Sequence, residues 1–286
     1  MCDELTAADN AEHLAEMMTR RGFGMATAAL GVAALLPSSA RAAEVRGHDV
    51  SITTPDGTCD AYFVAPARGK HPGVIVWPDI FGLRPAFRQM ADRLAQSGYA
   101  VLTVNQFYRS TKSPFVAPGQ GYDAAFQARV EPWRAALSPE AAMRDGKAFV
   151  AFLDAQPQVD RKRAIGSTGY CMGGPLVMLT AAGSPGRVHA GATFHGGGLA
   201  ADTLLARIPA MKASWLIAIA ENDDARAPAD KDKLRTAFDK SNQPAEIEVY
   251  KGTMHGWCPP DSPVYNPVEA EHAWTRLLAL FGKTLA

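Results

Sequence analysis

The sequence has few cysteines and no excess charge of either sign, and both features exclude classes of protein. Its 286 residues include 29 basic and 29 acidic side chains, so the formal net charge is zero. Such a chain has no basic field to attract nucleic acid, and we expect no nucleic-acid partner. Its cysteines form no C-x-x-C pair, which argues against a structural zinc site.

The sequence also lacks long apolar runs, internal repeats and low-complexity tracts. The run at residues 25–36 is shorter than the roughly 20 residues of a membrane-spanning helix, so no stable membrane anchor is predicted. Hydrophobic residues make up 47% of the chain and charged residues 20%. This is a globular composition, and the length suits one large α/β domain or two small ones.

Residues 1–43 have the pattern of an export signal. A polar segment precedes paired arginines at 20–21, Phe23 and the apolar run at 25–36, and small-x-small residues close the segment. This order indicates a twin-arginine signal recognised by export machinery. A short buried or amphipathic helix is the alternative. We therefore expect an N-terminal extension at 1–43 and a periplasmic or secreted domain at 44–286.

From residue 44 onward, strand patterns alternate with helical ones. Alternating segments on either side of a Pro-Asp-Gly turn at 55–57 predict two antiparallel strands. Continuous apolar runs at 73–77 and 100–104 predict strands buried on both faces. The predicted fold class is α/β, a mostly parallel sheet with helices on both faces. Residues 106–136 are weakly periodic and aromatic-rich, which predicts an irregular lid or binding loop.

A Gly-Tyr-Cys-Met-Gly-Gly segment at 169–174 lies between a predicted strand and a predicted helix. A sharp glycine-flanked turn in this context is typical of a nucleophile elbow, with Cys171 in place of the commoner serine. The N–H groups and positive dipole end of the following helix favour a thiolate at Cys171. A glycine-rich turn around an inert buried cysteine is the alternative.

Two further motifs follow predicted strands and complete a triad. Asp223 and Asp224 come after one strand, and His255 comes after the next. A thiol attacks as the thiolate, so an imidazole must take its proton, and a carboxylate must orient that imidazole. The chain order of nucleophile, acid and histidine is that of the α/β-hydrolase arrangement. Spacing from Pro228 favours Asp224 as the acid.

An acyl-transfer site also needs donors for an oxyanion. The N–H of Met172, next after the nucleophile, is one expected donor, and the N–H of Ile80, in the turn after an earlier strand, is the second. His195, at a strand end beside three glycines, and Trp257 are predicted to line the substrate site. This chemistry requires neither a metal nor an organic cofactor.

Four motifs together resemble the dienelactone hydrolase family, a cysteine-dependent branch of the α/β-hydrolase fold, over about residues 50–282. They are Gly-Tyr-Cys-Met-Gly-Gly at 169–174, Asp-Ile-Phe-Gly-Leu at 79–83, the helix end at 93–99 and Met-His-Gly at 254–256.

The resemblance implies roles for several residues. Cys171 would be the nucleophile and His255 the base. The family's spacing from Ala220 favours Asp223 as the acid, and we expect Asp223 rather than Asp224 to fill this role. Asp79 stands where the family usually has a glutamate that positions the thiol. Arg109 matches one arginine that binds a substrate carboxylate, whereas the position of the other, four residues after the histidine, is Pro259.

The expected function is hydrolysis of a small-molecule carboxylic ester or lactone through a thioester at Cys171. A second hypothesis is a non-catalytic scaffold that binds a small ligand or senses oxidants through the same thiol. A peptidase or acyltransferase using this triad is a third, for which no recognition motif is present. Whether Cys59 and Cys258 form a disulfide stays open, because distance decides it.

Overall fold

The computed structural model describes residues 6, 8–15, 43–117 and 119–286. Residues 8–15 form a helix, α1. The arginine pair and the apolar run of the predicted signal lie outside the described residues, so the signal stays a prediction.

The remaining chain alternates strands and helices around one sheet. The strands are β1 (Val45–Thr54), β2 (Gly57–Pro66), β3 (Gly73–Trp77), β4 (Ala100–Val104), β5 (Ile165–Tyr170), β6 (Val188–Phe194), β7 (Ser214–Ala220) and β8 (Ala245–Tyr250). The helices are α2 (Pro85–Gln96), α3 (Ala124–Ala135), α4 (Pro139–Ala155), α5 (Gly173–Gly183), α6 (Asp202–Leu205), α7 (Glu221–Arg226), α8 (Asp230–Lys240) and α9 (Pro267–Thr284), with a 3₁₀ turn at Ile208–Ala210.

The eight strands are ordered β1-β2-β4-β3-β5-β6-β7-β8. β1 pairs with β2, and β2 with β4, in antiparallel fashion, and every other pair is parallel. The antiparallel hairpin at the edge confirms the strand pair predicted around the Pro-Asp-Gly turn. β3 and β4 are buried throughout, as their continuous apolar runs predict, and β5 is buried throughout as well.

Helices cover the sheet on both faces and bury two hydrophobic cores. One core takes side chains from α4, α5 and α8, and the other from α2 and α9. Cys59 belongs to the first core and Cys258 to the second, and neither forms a disulfide. The two cysteines thus lie on opposite faces of the sheet, which answers the question that the sequence leaves open.

The helices begin where local chemistry satisfies their free N–H groups. The Ser138 hydroxyl accepts a hydrogen bond from the Ala141 N–H at 3.2 Å, which makes Ser138 the N-cap of α4. Proline occupies the first turn of α2, α4 and α9, where its missing N–H costs nothing.

The lid segment is more ordered than the sequence predicts. Helix α3 spans its second half despite the internal Pro132, so the prediction of an irregular segment is wrong there. The Asp123 carboxylate caps α3 by accepting from the Phe126 N–H at 2.8 Å. Buried Phe126 and Val130 place the helix on the apolar cluster that contains Ile80. The lid therefore packs directly over the turn after β3.

Candidate active site

The backbone of Cys171 has the strained geometry of an elbow. Its φ angle is +53°, a left-handed conformation that side chains with a Cβ rarely adopt. A Cβ at Gly169 would lie 2.4 Å from the carbonyl oxygen of Gly173, and one at Gly173 would lie 2.3 Å from that of Trp77. The flanking glycines are thus required by the close approach of α5 to β3 and β5.

Two backbone N–H groups lie unused beside this turn. Within the described part of the chain, neither the Ile80 N–H nor the Met172 N–H donates to an acceptor. The Met172 residue precedes the first turn of α5, and its side chain shares one apolar cluster with Ile80. Buried Gln106 fixes the turn after β3, because its Nε2 donates to the carbonyl oxygen of Asp79 at 2.7 Å.

The loop after β8 brings His255 to the carboxylate of Asp223. The His255 Nδ1 lies 2.8 Å from the Asp223 Oδ2. The side chains of Cys171 and His255 also form a hydrogen bond. Asn222 fixes the histidine's backbone by accepting from its N–H at 2.8 Å. Asp224, the other candidate acid, points to the Lys231 ammonium at 2.7 Å instead.

The electrostatics of the site favour a charged His255. Burial opposes the imidazolium, but the Cys171 thiolate and the Asp223 carboxylate outweigh burial and raise the pKa of His255 to about 10. The side chain is only 2% exposed, so bulk water screens these interactions little. This arrangement stores the proton of the Cys171 thiol on the imidazole.

Asp79 is engaged by a neighbouring arginine. The Arg84 guanidinium donates to both Asp79 oxygens at 2.6 and 2.9 Å, and to both Asp261 oxygens at 2.7 and 2.9 Å. Burial raises the pKa of the Asp79 carboxyl, and the Arg84 charge acts in the opposite direction. The charge of Cys171 also raises the pKa of Asp79, so the carboxylate lies within electrostatic range of the thiol.

Arg109 lies in a different ion cluster. Its guanidinium donates to the Asp145 carboxylate at 2.8 Å and to the Asp56 carboxylate, with the closest contact at 2.6 Å. The Asp145 side chain is fully buried and also accepts from the Tyr108 hydroxyl at 2.7 Å. The substrate-binding role implied for Arg109 stays a prediction, and its guanidinium is occupied by two carboxylates.

His195 and Trp257 are buried beside the catalytic histidine. The ring of His195 lies 5.0 Å from that of His255 and 5.1 Å from that of Trp257, edge to face in both pairs. His195 is 1% exposed, and burial together with the charge of His255 holds its pKa well below the ordinary value. Both residues therefore border the site from inside the protein, and their contact with substrate stays a prediction.

Sequence reasoning missed four residues that shape the site. Arg84, Asp261, Gln106 and Asn222 act through contacts with residues far along the chain, 177 positions apart for Arg84 and Asp261. Asn222 had the clearest signal, since it directly precedes the candidate acid at a predicted strand end. Arg84 had a weaker one, because it directly follows the Asp-Ile-Phe-Gly-Leu motif.

The described residues offer neither a metal site nor a membrane-spanning helix. No group of three or more His, Cys, Asp or Glu side chains there could hold a metal ion. Within residues 43–117 and 119–286, together with the described N-terminal positions, no helix is long and apolar enough to cross a membrane.

The sheet order, the helices on both faces and the elbow at the end of β5 define an α/β-hydrolase fold. The chain belongs to the dienelactone hydrolase family, whose model matches residues 59–285. It is therefore an enzyme of the class that hydrolyses carboxylic esters and lactones.

Similarity to individual proteins agrees with this family. The chain is 28% identical to carboxymethylenebutenolidase of Pseudomonas putida over 221 residues, which are 76% of this chain and 88% of the relative. A dienelactone hydrolase-like promiscuous phosphotriesterase from metagenomic libraries superposes with a TM-score of 0.70 at 22% identity, covering 85% of this chain and 99% of that one. Dienelactone hydrolase from Anabaena variabilis gives a TM-score of 0.63 at 16% identity, with the same coverage. At these identities, the two solved structures are similar in fold.

Proposed function

We propose that the protein hydrolyses a small-molecule carboxylic ester or lactone through a thioester on Cys171, with His255 as base and Asp223 as the orienting acid. The observation that carries the proposal is the 2.8 Å contact between His255 Nδ1 and Asp223 Oδ2, in a histidine that also hydrogen-bonds with Cys171. A nucleophile, a base and an acid in contact in this order are the parts that acyl transfer needs.

In the first half-reaction, the Cys171 sulfur attacks the carbonyl carbon, and the N–H groups of Ile80 and Met172 stabilise the oxyanion. The carbon–oxygen bond to the leaving alkoxide breaks, and His255 donates its proton to that alkoxide. In the second, a water attacks the thioester while His255 takes its proton. The thiolate leaves, the carboxylic acid departs, and the Cys171–His255 pair is restored.

Pre-steady-state hydrolysis of p-nitrophenyl valerate by the full chain tests this mechanism. Cys171→Ala and His255→Ala are expected to lower kcat by orders of magnitude. Asp223→Asn should lower it about 10²- to 10⁴-fold, because the imidazole loses its orienting carboxylate. Asp224→Asn is the matched control, and it should stay near the wild-type rate.

The outcomes separate the proposal from a redox or ligand-binding role. Turnover that is lost in the Cys171 and Asp223 variants supports the hydrolase. No turnover of any simple ester, together with a stable sulfenic acid at Cys171 after mild peroxide treatment, would support the sensing scaffold. Equal rates in Asp223→Asn and Asp224→Asn would overturn the assignment of the acid.

We also propose that the protein acts in the periplasm or is secreted. The proposal rests on the order of paired arginines, apolar run and small-x-small site in residues 1–43. Replacement of the paired arginines at 20–21 by lysine tests it by cell fractionation. Export that is unaffected by this change would overturn the assignment of a twin-arginine signal.

A further inference from the structure

We propose that the Cys171 site selects neutral, apolar acyl groups and rejects acyl groups that end in a carboxylate. The inference rests on the proposed function, because it concerns the substrate class of the same thiol. Two features of the structure support it. They are the apolar chemistry of the lid and the carboxylates that already occupy the guanidinium groups of Arg84 and Arg109.

The lid presents an apolar surface to the expected oxyanion donors. Ile80 and Met172, which supply those N–H groups, pack in one cluster with aromatic side chains from both ends of the lid segment. Phe126 on α3 stacks on Phe81 at a ring distance of 5.0 Å, and Trp133 packs edge to face on Phe115 at 5.2 Å. An acyl group that enters beside the thiol therefore contacts apolar side chains.

The guanidinium of Arg84, which binds Asp79 beside the thiol, has no donor left for a substrate. All three nitrogens of Arg84 donate to Asp79 or Asp261, and its NH1 also donates to the Gly82 carbonyl at 3.3 Å. Its charge is offset by two carboxylates at 2.6 and 2.7 Å. An incoming anion would have to displace one of them.

Arg109 is occupied in the same way. Its guanidinium binds the carboxylates of Asp145 and Asp56, and Arg144 also binds the Asp56 carboxylate at 2.7 Å. The Asp145 side chain is fully buried, so removing Arg109 from it would leave an unpaired charge in the core. This second guanidinium is thus held by the fold.

A carboxylate on the acyl group would therefore be buried against aromatic rings without a partner. Burying an ionised group without compensation is costly, and part of that cost raises the barrier to acylation. An uncharged chain of the same length instead gains free energy from the apolar contact. We expect kcat/KM to favour the neutral ester by about 100-fold or more.

Arg129 is a cation on the lid helix α3 itself. Its guanidinium lies 5.2 Å from the Phe126 ring and 5.8 Å from the Trp133 ring, and it donates to the Phe115 carbonyl at 3.3 Å. It has no carboxylate partner in the described part of the chain. Because Arg129 is exposed to solvent, we place it at the outer surface of the lid, where water screens its charge.

The test compares two chromogenic esters with the same leaving group and the same acyl length. p-Nitrophenyl valerate has a neutral five-carbon acyl chain, and mono-p-nitrophenyl glutarate ends the chain of equal carbon number in a carboxylate. The full chain is expected to hydrolyse the valerate at least about 100-fold more efficiently. Comparable or greater kcat/KM for the glutarate would overturn the inference while leaving the hydrolase in place.

One substitution should shift the preference in a defined direction. Asp261→Asn removes one of the two charges that hold Arg84, and the Asp261 side chain is 44% exposed. The variant should raise kcat/KM for the glutarate about 10-fold relative to that for the valerate, because the Asp79–Arg84–Asp261 cluster loses one negative charge and repels an anion less. Asp232→Asn makes the same charge change on α8, at a side chain that is 71% exposed, and should leave the ratio unchanged.

The remaining outcomes also decide the question. If the glutarate is a good substrate and Arg129→Gln abolishes its turnover, the lid arginine binds the acyl carboxylate and the inference is wrong. The Asp261→Asn variant could melt at the wild-type temperature and leave the ratio of the two kcat/KM values unchanged. This result would show that the occupied donors of Arg84 are not the reason for the preference. If neither ester is turned over, the proposed function fails, and this result is distinct from a reversed preference.

Discussion

Two residues of the site, Cys171 and His195, have a left-handed backbone that residues with a Cβ seldom adopt. Their φ angles are +53° and +42°, and each directly follows the end of a parallel strand. Such strain persists only where the surrounding structure holds it, and it concentrates at functional sites. The carboxyl ends of β5 and β6 are thus the strained part of the sheet edge.

Replacing His195 is expected to raise the stability of the protein and to lower its activity. Neither ring nitrogen has a hydrogen-bond partner in the described part of the chain, although the side chain is buried. His195→Phe keeps a ring against His255 and removes two unpaired polar atoms, so the free energy of unfolding should rise by about 1 kcal/mol. Activity should fall, because the substitution also removes the two polar atoms that lie beside the ring of His255. Urea unfolding and kcat for p-nitrophenyl valerate measure both effects.

A control at an exposed histidine separates this effect from a general one. His48→Phe, on β1, should change neither quantity. A His195→Phe variant that is less stable and fully active would show that the nitrogens serve the fold alone.

The raised pKa of His255 makes stability fall at alkaline pH. Its folded value of about 10 lies above the ordinary 6.5, so the protonated imidazole contributes stability that is complete below about pH 6.5. That contribution is lost as the pH rises through the folded pKa near 10. Urea unfolding from pH 6 to pH 10 should show this decline. Cys171→Ala removes the charge that raises this pKa most, so a decline of the same size in that variant would contradict the assigned cause.

At the scale of single residues, the sequence predicts identities better than partners. It favours Asp223 over Asp224 only through a family's spacing, and the path of α7 is what turns Asp223 to His255 and Asp224 to Lys231. Arg84 could not be assigned, because Asp261 joins it from 177 positions away. Local motifs thus indicate which residues can react, whereas contacts over long sequence separations decide which charged groups surround them.

At the scale of elements, one buried carboxylate joins three parts of the fold. Asp145 on α4 accepts from Tyr108 and Arg109, which follow β4. Arg109 in turn donates to Asp56 in the β1–β2 turn, and Tyr108 shares a hydrogen bond with Thr54 of β1. The helix, the hairpin and the start of the lid segment are therefore coupled through Asp145.

Asp145→Asn is expected to lower the free energy of unfolding by about 3 kcal/mol, because it removes the buried charge that compensates Arg109. Urea unfolding measures this loss. The dependence of the unfolding free energy on urea concentration should stay unchanged, which would show that the loss reflects the native state. Asp232→Asn, an exposed acid paired on α8, should cost under about 0.5 kcal/mol. A similar small loss in both variants would show that the buried cluster is not a stabilising link.

The lid shows why an element can be missed. Only Phe126 and Val130 of α3 are buried, and Pro132 interrupts the helical pattern, so apolar periodicity is too weak to indicate a helix. Packing on the Ile80 cluster supplies the stability that local propensity lacks. The aspartate at 123 was the available signal, since an acidic side chain before such a run is a common N-cap.

At the scale of the whole molecule, the alternation of buried strands and amphipathic helices was enough to predict the α/β class. It could not predict which strands pair across the sheet. The order β2-β4-β3-β5 brings the turn after β3 next to the elbow after β5, and this neighbourhood places Ile80 beside Met172. The site follows from the topology, and the topology follows from packing over long sequence separations.

If residues 1–43 are an extension separate from the hydrolase domain, a chain that begins at Glu44 should fold. It should also hydrolyse p-nitrophenyl valerate as the full chain does. The sheet starts at Val45, and the Glu44 carbonyl already accepts from the Ala67 N–H at 2.8 Å. The truncation removes contacts of the N-terminal segment with the catalytic loops, such as that from Asn10 Nδ2 to the His255 carbonyl oxygen at 3.1 Å and that from Arg226 to the Thr6 hydroxyl at 2.9 Å. Because the contacts of the described N-terminal residues are polar and part-buried or exposed, their loss should lower the melting temperature by only about 2–4 °C. Thermal unfolding and kcat of the two chains measure this, and a shortened chain that is unfolded or inactive would show that residues 1–43 belong to the folded enzyme.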